Sequence, residues 1–327
     1  MDEPVSVPGS TATMPRLGLG VYQLRGEECF AACLAGLEAG YRHVDTAQLY
    51  GNEAEVGRAV GVYLRRQRQR ESSRCDDARA EGVGRQDVFL TTKVGRWEGS
   101  AEKMYRIALR SVLKVAGDGG AGAGDGEGEG YVDLVLVHRP VERWREIWSV
   151  LKRLGSEGRA RAIGVSNFGI EALEEMKRDG GGGGLPCVNQ IELHPWCQQR
   201  RLVGYCQRNG IVVQAYSPLA RGRRMADPVL IKVVERVRRR VLVRAAADNH
   251  HYDPHETAEA GSEVTAAQVL IRWSLQRGFV PLPKSGGADR VRENADVFWF
   301  RLDGVEMDML DGLDLGAAGA LFPANLS

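Results

Sequence analysis

Short apolar runs of β-type composition alternate along this chain with longer segments whose apolar residues repeat at helical spacing. The longer segments include 27–39, 143–154 and 264–277, and in the first of these Phe30, Leu34 and Leu37 share one face. The apolar runs stand at 17–20, 43–45, 88–92, 132–137, 162–165, 187–191, 211–216 and 280–282. Strand alternating with helix predicts an α/β protein with a parallel sheet and right-handed crossovers.

Eight such units suit a closed (β/α)8 TIM barrel better than an open doubly wound sheet. We therefore expect one barrel domain over residues 1–327. Irregular segments that resemble flexible insertions interrupt it at 65–86, 115–130, 179–184 and 239–262. The first three fall between a helix and the next strand, which places them on the N-terminal face, where changes affect stability rather than chemistry. The fourth lies between two helices and is not assigned to a face.

Polar or ionisable residues stand at the end of seven of the eight apolar runs or directly after it. In a barrel, the carboxyl ends of the strands meet on the face that carries the chemistry. One such residue alone is usually a cap or part of a solvated rim, but this many converging on one mouth indicate a site. The residues are Asp45, Lys93, His138, Ser166, Asn167, Asn189, Gln190, Glu192, Tyr216 and Lys284.

Composition narrows the classes of binding partner. With 43% hydrophobic and 27% charged residues, the chain is typical of a soluble globular protein. Its net charge of +1 creates no field that favours nucleic acid or an anionic membrane, and the basic runs at 65–70 and 236–240 are interpreted as solvated surface. No apolar run approaches a membrane span, and no signal peptide is visible. Six cysteines without a C-x-x-C pair predict reduced thiols, so we expect a cytoplasmic protein.

Eight motifs in order along nearly the whole chain resemble the aldo-keto reductase family. They are "MPRLGLGVYQL" (14–24), "GYRHVDTAQLYGNEAEVG" (40–57), "FLTTKV" (89–94), "YVDLVLVHRP" (131–140), "AIGVSNF" (162–168), "VNQIELHP" (188–195), "VQAYSPLARG" (213–222) and "LPKSGGADRVREN" (282–294). The resemblance implies a monomeric protein that reduces aldehyde or ketone groups of small molecules with NADPH.

The resemblance also implies a catalytic tetrad of Asp45, Tyr50, Lys93 and His138. Hydride transfer to a carbonyl makes an alkoxide, so a proton donor and an oxyanion stabiliser must face the oxygen. Free tyrosine, with a pKa near ~10, is a weak donor at neutral pH, and a cationic lysine nearby lowers that pKa. We expect Tyr50 to donate the proton, Lys93 to tune it, Asp45 to keep Lys93 charged, and His138 to orient the carbonyl and help in proton delivery.

No dinucleotide-binding fingerprint follows a strand in this sequence. A formal G-x-G-x-x-G at Gly117, Gly119 and Gly122 opens no helix and lies among carboxylates that would repel a pyrophosphate. The resemblance instead implies an extended nicotinamide cofactor over the barrel mouth, held by Ser166, Asn167, Gln190, Tyr216, Ser217, Leu219, Lys284, Ser285, Arg290, Glu293 and Asn294. In this arrangement the amide and hydroxyl groups hold the carboxamide and Tyr216 stacks on the nicotinamide ring.

Two cations and a hydroxyl where a loop meets a helix suit a 2′-phosphate. Lys284, Ser285 and Arg290 stand in this position, which favours NADPH over NADH.

The substrate pocket departs from the family pattern. Arg139 replaces the tryptophan that often follows the catalytic histidine, while Tyr22 and Trp97 are the candidate aromatic walls. A guanidinium pairs well with a carboxylate, so Arg139 favours an acidic or hydroxylated substrate, unless it points to solvent at the rim. Sugars, keto acids and diketones are the candidate substrates.

The histidines of "HHYDPHE" (250–256) lie in a polar inserted segment, and we expect no metal site there. Two alternatives stay open: a non-catalytic NADPH-binding regulatory subunit on the same barrel, and an impaired relative destabilised by its insertions.

Overall fold

Eight parallel strands form the centre of the computed structural model, which describes residues 3–72, 83–117, 130–179, 184–248 and 263–323. A short antiparallel hairpin precedes them, formed by β1 (Val5–Ser6) and β2 (Thr13–Met14). The parallel strands are β3 (Leu19–Gly20), β4 (His43–Asp45), β5 (Phe89–Val94), β6 (Val132–Val137), β7 (Ala160–Ser166), β8 (Val188–Glu192), β9 (Val212–Tyr216) and β10 (Val280–Leu282).

Each parallel strand pairs with the next one in sequence, from β3 to β10. The amides of Gly18 and Gly20 donate to the carbonyls of Pro281 and Pro283, each at 3.0 Å, and these bonds join the first strand to the last. A side chain at Gly20 would be obstructed, because its Cβ would lie 2.9 Å from the Leu282 carbonyl oxygen. The predicted (β/α)8 barrel is therefore confirmed.

Ten α-helices occur within the described ranges. They are α1 (Gly26–Glu38), α2 (Glu53–Ser72), α3 (Ala101–Ala116), α4 (Trp144–Ser156), α5 (Ile170–Arg178), α6 (Arg200–Arg208), α7 (Pro228–Asp248), α8 (Ala266–Gln276), α9 (Ala288–Ala295) and α10 (Gly304–Asp311). The segments predicted from helical spacing correspond to α1, α4 and α8, each within two residues of its observed ends. Thr265 and Asp303 begin α8 and α10 as side-chain caps, each in a capping box.

The irregular segments are shorter than the sequence predicted. Helix α2 continues through the arginine-rich run to Ser72, and α7 continues to Asp248. Arginine is a good helix former, and one residue of the first run, Arg66, pairs across to Glu38 of α1. The predictions for 73–82, 118–129, 180–183 and 249–262 lie outside the described residues, as does the histidine cluster at 250–256.

Alternation along the strands separates two apolar cores. Outward residues such as Val44 and Leu90 pack against the helices in the larger core. The smaller core combines hairpin residues with inward residues that begin strands, namely Val7, Ala12, Met14, Phe89, Val188 and Val280. The hairpin therefore covers the N-terminal end of the barrel, and the opposite end is the one available for a site.

Among the described helices, none is long and apolar enough to cross a bilayer. The five cysteines within the described ranges are buried and unpaired.

Candidate active site

A cavity of about 830 Å³ lies at the carboxyl ends of the barrel strands. Every catalytic, cofactor-binding or substrate residue proposed from the sequence lines it except Lys93 and Trp97, and of the other polar residues at strand ends Asn189 and Glu192 do not line it. The lining residues among them are Tyr22, Asp45, Tyr50, His138, Arg139, Ser166, Asn167, Gln190, Tyr216, Ser217, Leu219, Lys284, Ser285, Arg290, Glu293 and Asn294. Trp97 is partly buried against the larger core instead.

Lys93 lies directly beneath the cavity and is only 1% exposed. Its position follows from strand alternation: Thr91, two residues earlier, contacts inward-facing His43, so Lys93 also points into the barrel. Its Nζ donates to Asp45 Oδ1 at 2.5 Å, to the Thr46 carbonyl at 2.9 Å and to the Tyr50 hydroxyl at 3.3 Å. One ammonium thus connects a buried carboxylate to a phenol in the cavity wall.

The lysine is held in its charged form. Burial lowers the pKa of Lys93, but the charge of Asp45 and the hydrogen bonds to Asp45 and Tyr50 outweigh it, and the pKa is raised. Burial also raises the pKa of Asp45, while Lys93 and Gln190 oppose that effect. Since Asp45 accepts from Lys93 at one oxygen and from Gln190 at the other, at 2.8 Å, its carboxyl has the surroundings of an ionised group.

Tyr50 remains a neutral phenol. Burial raises the pKa of Tyr50, and the charge and hydrogen bond of Lys93 offset only part of that rise. The lysine acts in the expected direction and lowers the pKa of Tyr50, but burial, which the sequence-based expectation did not include, outweighs it. What the lysine does is make proton loss easier than it would be in the same dry position without a cation.

His138 faces Tyr50, with 5.9 Å between the ring centroids. Burial, together with the positive charges of Lys93 and Arg139, lowers the pKa of His138 to about 3. The imidazole is therefore neutral near pH 7 and can offer one N–H to a bound oxygen.

A connected set of amides and hydroxyls forms another wall. The Tyr216 hydroxyl donates to Asn167 Oδ1 at 2.9 Å, and Asn167 Nδ2 donates to Ser166 Oγ and to the His138 carbonyl, each at 3.0 Å. Gln190 Nε2 is shared between Asp45 Oδ2 and Gln214 Oε1, both at 2.8 Å, so Gln190 can offer a carboxamide its Oε1. This wall is linked by hydrogen bonds to the buried ion pair.

Lys284, Ser285 and Arg290 lie together where β10 leads into α9. Arg290 Nε donates to Ser285 Oγ at 3.0 Å, and α9 begins at Ala288, so its first amides point toward the same region. A cation, a hydroxyl and a helix N-terminus together can hold a phosphate.

Sequence reasoning did not select Gln23, Arg221 or Phe322, which also line the cavity. Arg221 Nη2 donates to Gln23 Oε1 at 2.6 Å across 198 residues, and the Arg221 guanidinium lies 5.6 Å from the Phe322 ring centroid. No local pattern predicts pairing between distant loops.

Positive φ angles of non-glycine residues are the one signal that marks this rim in the structure. Of six such residues in the described ranges, Gln23, Asn167, Ser217 and Arg221 line the cavity. Backbone strain of this kind clusters at functional sites.

The described residues contain no group of three or more His, Cys, Asp or Glu side chains that could hold a metal ion.

A barrel with ionisable side chains converging on a cavity at the carboxyl ends of its strands has the architecture of a (β/α)8 barrel enzyme. Residues 16–315 match the model of the aldo/keto reductase family. Glyoxal reductase of Bacillus subtilis is 33% identical over 303 residues, which cover 92% of this chain and 89% of that protein.

Solved structures agree. The aldo/keto reductase of Brucella melitensis is 32% identical with a TM-score of 0.71, covering 94% of this chain and 100% of that one. A Bombyx mori aldo-keto reductase solved in complex with NADP is 26% identical with a TM-score of 0.71, covering 93% of this chain and 90% of that one. The chain belongs to the aldo-keto reductase family, and it is an oxidoreductase of carbonyl groups that uses a nicotinamide cofactor.

Proposed function

We propose that this protein reduces aldehyde or ketone groups of small molecules to alcohols with NADPH, and that Tyr50 donates the proton. The observation that carries the proposal is the position of Lys93 Nζ, which donates to both Asp45 and Tyr50 beneath a cavity that His138 also faces.

NADPH, when bound, supplies a hydride to the carbonyl carbon. As that bond forms, the π electron pair of the carbonyl moves to its oxygen, which takes the proton of the Tyr50 hydroxyl. The phenolate left on Tyr50 lies 3.3 Å from the Lys93 ammonium, which stabilises its charge. Neutral His138 donates a hydrogen bond to the same oxygen and fixes its position.

The residues present fit such a cofactor. Asn167 Oδ1 and Gln190 Oε1 can accept from the NH2 group of a carboxamide, with Ser166 holding Asn167, and the Tyr216 ring offers a flat apolar face. Ser217 and Leu219 continue this wall, and Glu293 and Asn294 lie at the far end. Lys284 and Arg290, with Ser285, would pair with a 2′-phosphate, which is the basis for preferring NADPH to NADH.

For the substrate we propose a small carbonyl compound with a carboxylate, hydroxyl or second carbonyl beside the reacting group, such as a keto acid, sugar or diketone. Arg139 lines the cavity next to His138 and is exposed, so it can meet a polar substituent. The relative from Bacillus subtilis is named for a dicarbonyl substrate. Equal effects of Arg139→Ala on a keto acid and on a neutral aldehyde would remove Arg139 from this role.

The function is tested with purified protein, a panel of aldehydes, keto acids and diketones, and absorbance of NADPH and NADH at saturating carbonyl. We expect turnover with NADPH that falls by about 10²–10⁴ in Tyr50→Phe, the range for loss of a general acid. NADPH affinity, followed by fluorescence, should stay within about threefold, since Tyr50→Phe removes one hydroxyl.

Tight NADPH binding with no turnover on any carbonyl would instead identify a non-catalytic NADPH-binding subunit. We further propose that residues 1–327 act as one domain and as a cytoplasmic monomer, which light scattering and fractionation would check.

A further inference from the structure

The segment after α10, residues 312–323, is called the tail, and it follows the loop between β8 and α6 until it reaches the cavity. Asp314 accepts from the Gln198 amide at 3.2 Å and pairs with Arg200 at 2.8 Å, and the Leu315 amide donates to the Trp196 carbonyl at 3.0 Å. Gly319 then passes so close to Trp196 that a Cβ would lie 1.7 Å from its carbonyl oxygen. Only glycine permits this path.

The path ends on a buried carboxylate. Glu192, the last residue of β8, is 1% exposed and accepts from the amide of Leu321 at 2.6 Å with one oxygen and from the amide of Phe322 at 2.9 Å with the other. His194 Nε2 lies 3.0 Å from the first of these oxygens. The two carboxylate oxygens therefore fix the backbone position of two consecutive residues, Leu321 and Phe322.

The residue so fixed is an aromatic wall of the cavity. The Phe322 ring lies 6.5 Å from the Tyr22 ring and 5.9 Å from the Tyr216 ring, both as edge-to-face pairs. Tyr22 in turn lies 4.9 Å from Tyr50. A bulky substituent on a substrate whose carbonyl reaches Tyr50 can contact these rings.

We propose that Glu192 is a positioning residue for substrate selection, which holds Phe322 in the substrate chamber by accepting the amide hydrogens of residues 321 and 322. The role rests on the proposed carbonyl reduction. Glu192 touches neither the reacting atoms nor the tetrad, and it acts through Phe322.

The principal variant is Glu192→Gln, which keeps the side-chain size but replaces one accepting oxygen with an NH2 group. Hydrogen exchange of a C-terminal peptide that includes residues 321 and 322, measured by mass spectrometry, should become faster. The KM for 4-nitrobenzaldehyde should rise about fivefold, as expected for loss of one aromatic contact, with kcat within about twofold. The KM for methylglyoxal, which is too small to reach Phe322, should stay unchanged.

Phe322→Ala should raise the KM for 4-nitrobenzaldehyde to the same extent, and the double variant should be no worse than Phe322→Ala alone. Glu306→Gln is the matched control. Glu306 is also a buried carboxylate that accepts a backbone amide, from Asp303 at 2.8 Å, but it belongs to α10 and does not contact the tail. The Glu306→Gln variant should have lower thermal stability, with hydrogen exchange of the tail and the KM both unchanged.

Unchanged tail exchange in Glu192→Gln, or a KM effect that adds to that of Phe322→Ala, would overturn the proposal. If Glu192→Gln does not fold, Glu192→Asp, which withdraws the carboxylate by one methylene, replaces it with the same two criteria. Absence of turnover in the unmodified protein would remove the proposed function and the selective role together, whereas tail exchange would still report separately whether Glu192 holds the segment.

Discussion

Two buried ion pairs occupy opposite ends of this barrel, and only one of them belongs to the candidate active site. Lys93 and Asp45 approach to 2.5 Å at the carboxyl ends of the strands. Arg85 and Asp133 approach to 2.9 Å at the other end, where Asp133 is the second residue of β6. The carboxylate side chains are 5% and 1% exposed, so neither burial nor distance distinguishes the two pairs.

Their other partners do distinguish them. Asp133 also accepts from Arg161 at 3.1 Å and from the Leu90 amide at 2.9 Å. The Arg85 guanidinium lies 4.3 Å from the Tyr131 ring centroid and donates to the carbonyls of Val88 and Tyr131. All of these contacts join barrel strands and their flanking segments. At the mouth, Lys93 donates a hydrogen bond to the hydroxyl of Tyr50, which lines the cavity.

A buried ion pair is therefore weak evidence of function until its remaining donors are followed. Desolvation removes much of the stability that such a pair could supply. The pair at the N-terminal end organises backbone, whereas the pair at the mouth holds a cation beside Tyr50, the proposed proton donor. The comparison implies that activity and stability should separate when the pairs are altered one at a time.

The largest effect is expected at the mouth. In Lys93→Met/Asp45→Asn both charges are removed together, and the asparagine keeps an acceptor for Gln190. The kcat should fall by about 10³, because Tyr50 loses the cation that stabilises its phenolate. The unfolding free energy should stay within about 2 kcal/mol of the unmodified protein, since loss of a whole buried pair is often neutral. Assays at high enzyme concentration measure the kcat, and urea titrations measure the unfolding free energy. A variant that unfolds readily would show that this pair is structural after all.

The next effect is expected at the opposite end and in the other quantity. Asp133→Asn leaves Arg85 and Arg161 without their shared counter-charge, which should cost about 3 kcal/mol of unfolding free energy. Turnover of the folded variant should remain within about twofold of the unmodified protein, because no group of this cluster reaches the cavity. Urea unfolding at pH 7 and assays well below the melting temperature provide the test. A fall in kcat without loss of stability would contradict the comparison.

Much of the mouth could be predicted from sequence because its signals are local. Strand–helix alternation predicted the barrel, and the polar residues at or just after the ends of the apolar runs predicted Asp45, Lys93 and His138 at its mouth. The remainder depends on contacts between distant segments, such as Arg221 with Gln23 or Phe322 with Glu192, for which no spacing rule exists. The net rise in the pKa of Tyr50 was not predicted for a related reason: burial is a property of the folded molecule, whereas a nearby lysine can be expected from a motif.

A smaller effect is expected for Asp45→Asn alone. Lys93 keeps its bonds to the Thr46 carbonyl and to Tyr50, at 2.9 and 3.3 Å, but loses the negative charge that raises its pKa. The kcat should fall by about 10- to 100-fold, or about 1.4–2.7 kcal/mol, and by less than in Tyr50→Phe. The pH profile should also change, with activity lost at lower alkaline pH as the lysine deprotonates more easily. Equal losses in the Asp45 and Tyr50 variants would mean that Asp45 does more than support Lys93.

The smallest effect concerns His43, which lies inside the barrel between the two ion pairs. Burial, strengthened by the charge of Lys93, lowers the pKa of His43 to about 3, and its Nε2 lies 3.1 Å from Thr91 Oγ1. The unfolded chain, with a histidine pKa of about 6.5, binds a proton that the folded chain excludes. The stability due to neutral His43 is thus complete above pH ~6.5 and falls as the pH decreases toward the folded pKa.

Between pH 7 and pH 5 this term should cost the unmodified protein about 2 kcal/mol of unfolding free energy. His43→Gln keeps a hydrogen-bonding group near Thr91 but cannot titrate, so its stability should fall by that much less over the same interval. Urea titrations of both proteins at the two pH values give the difference, and the carboxylates common to both cancel from it. Equal falls in the two proteins would place the acid sensitivity elsewhere. In that event His138 is the first position to test, because its pKa is also lowered to about 3. The acid-sensitive group would then lie at the mouth of the barrel and not in its interior.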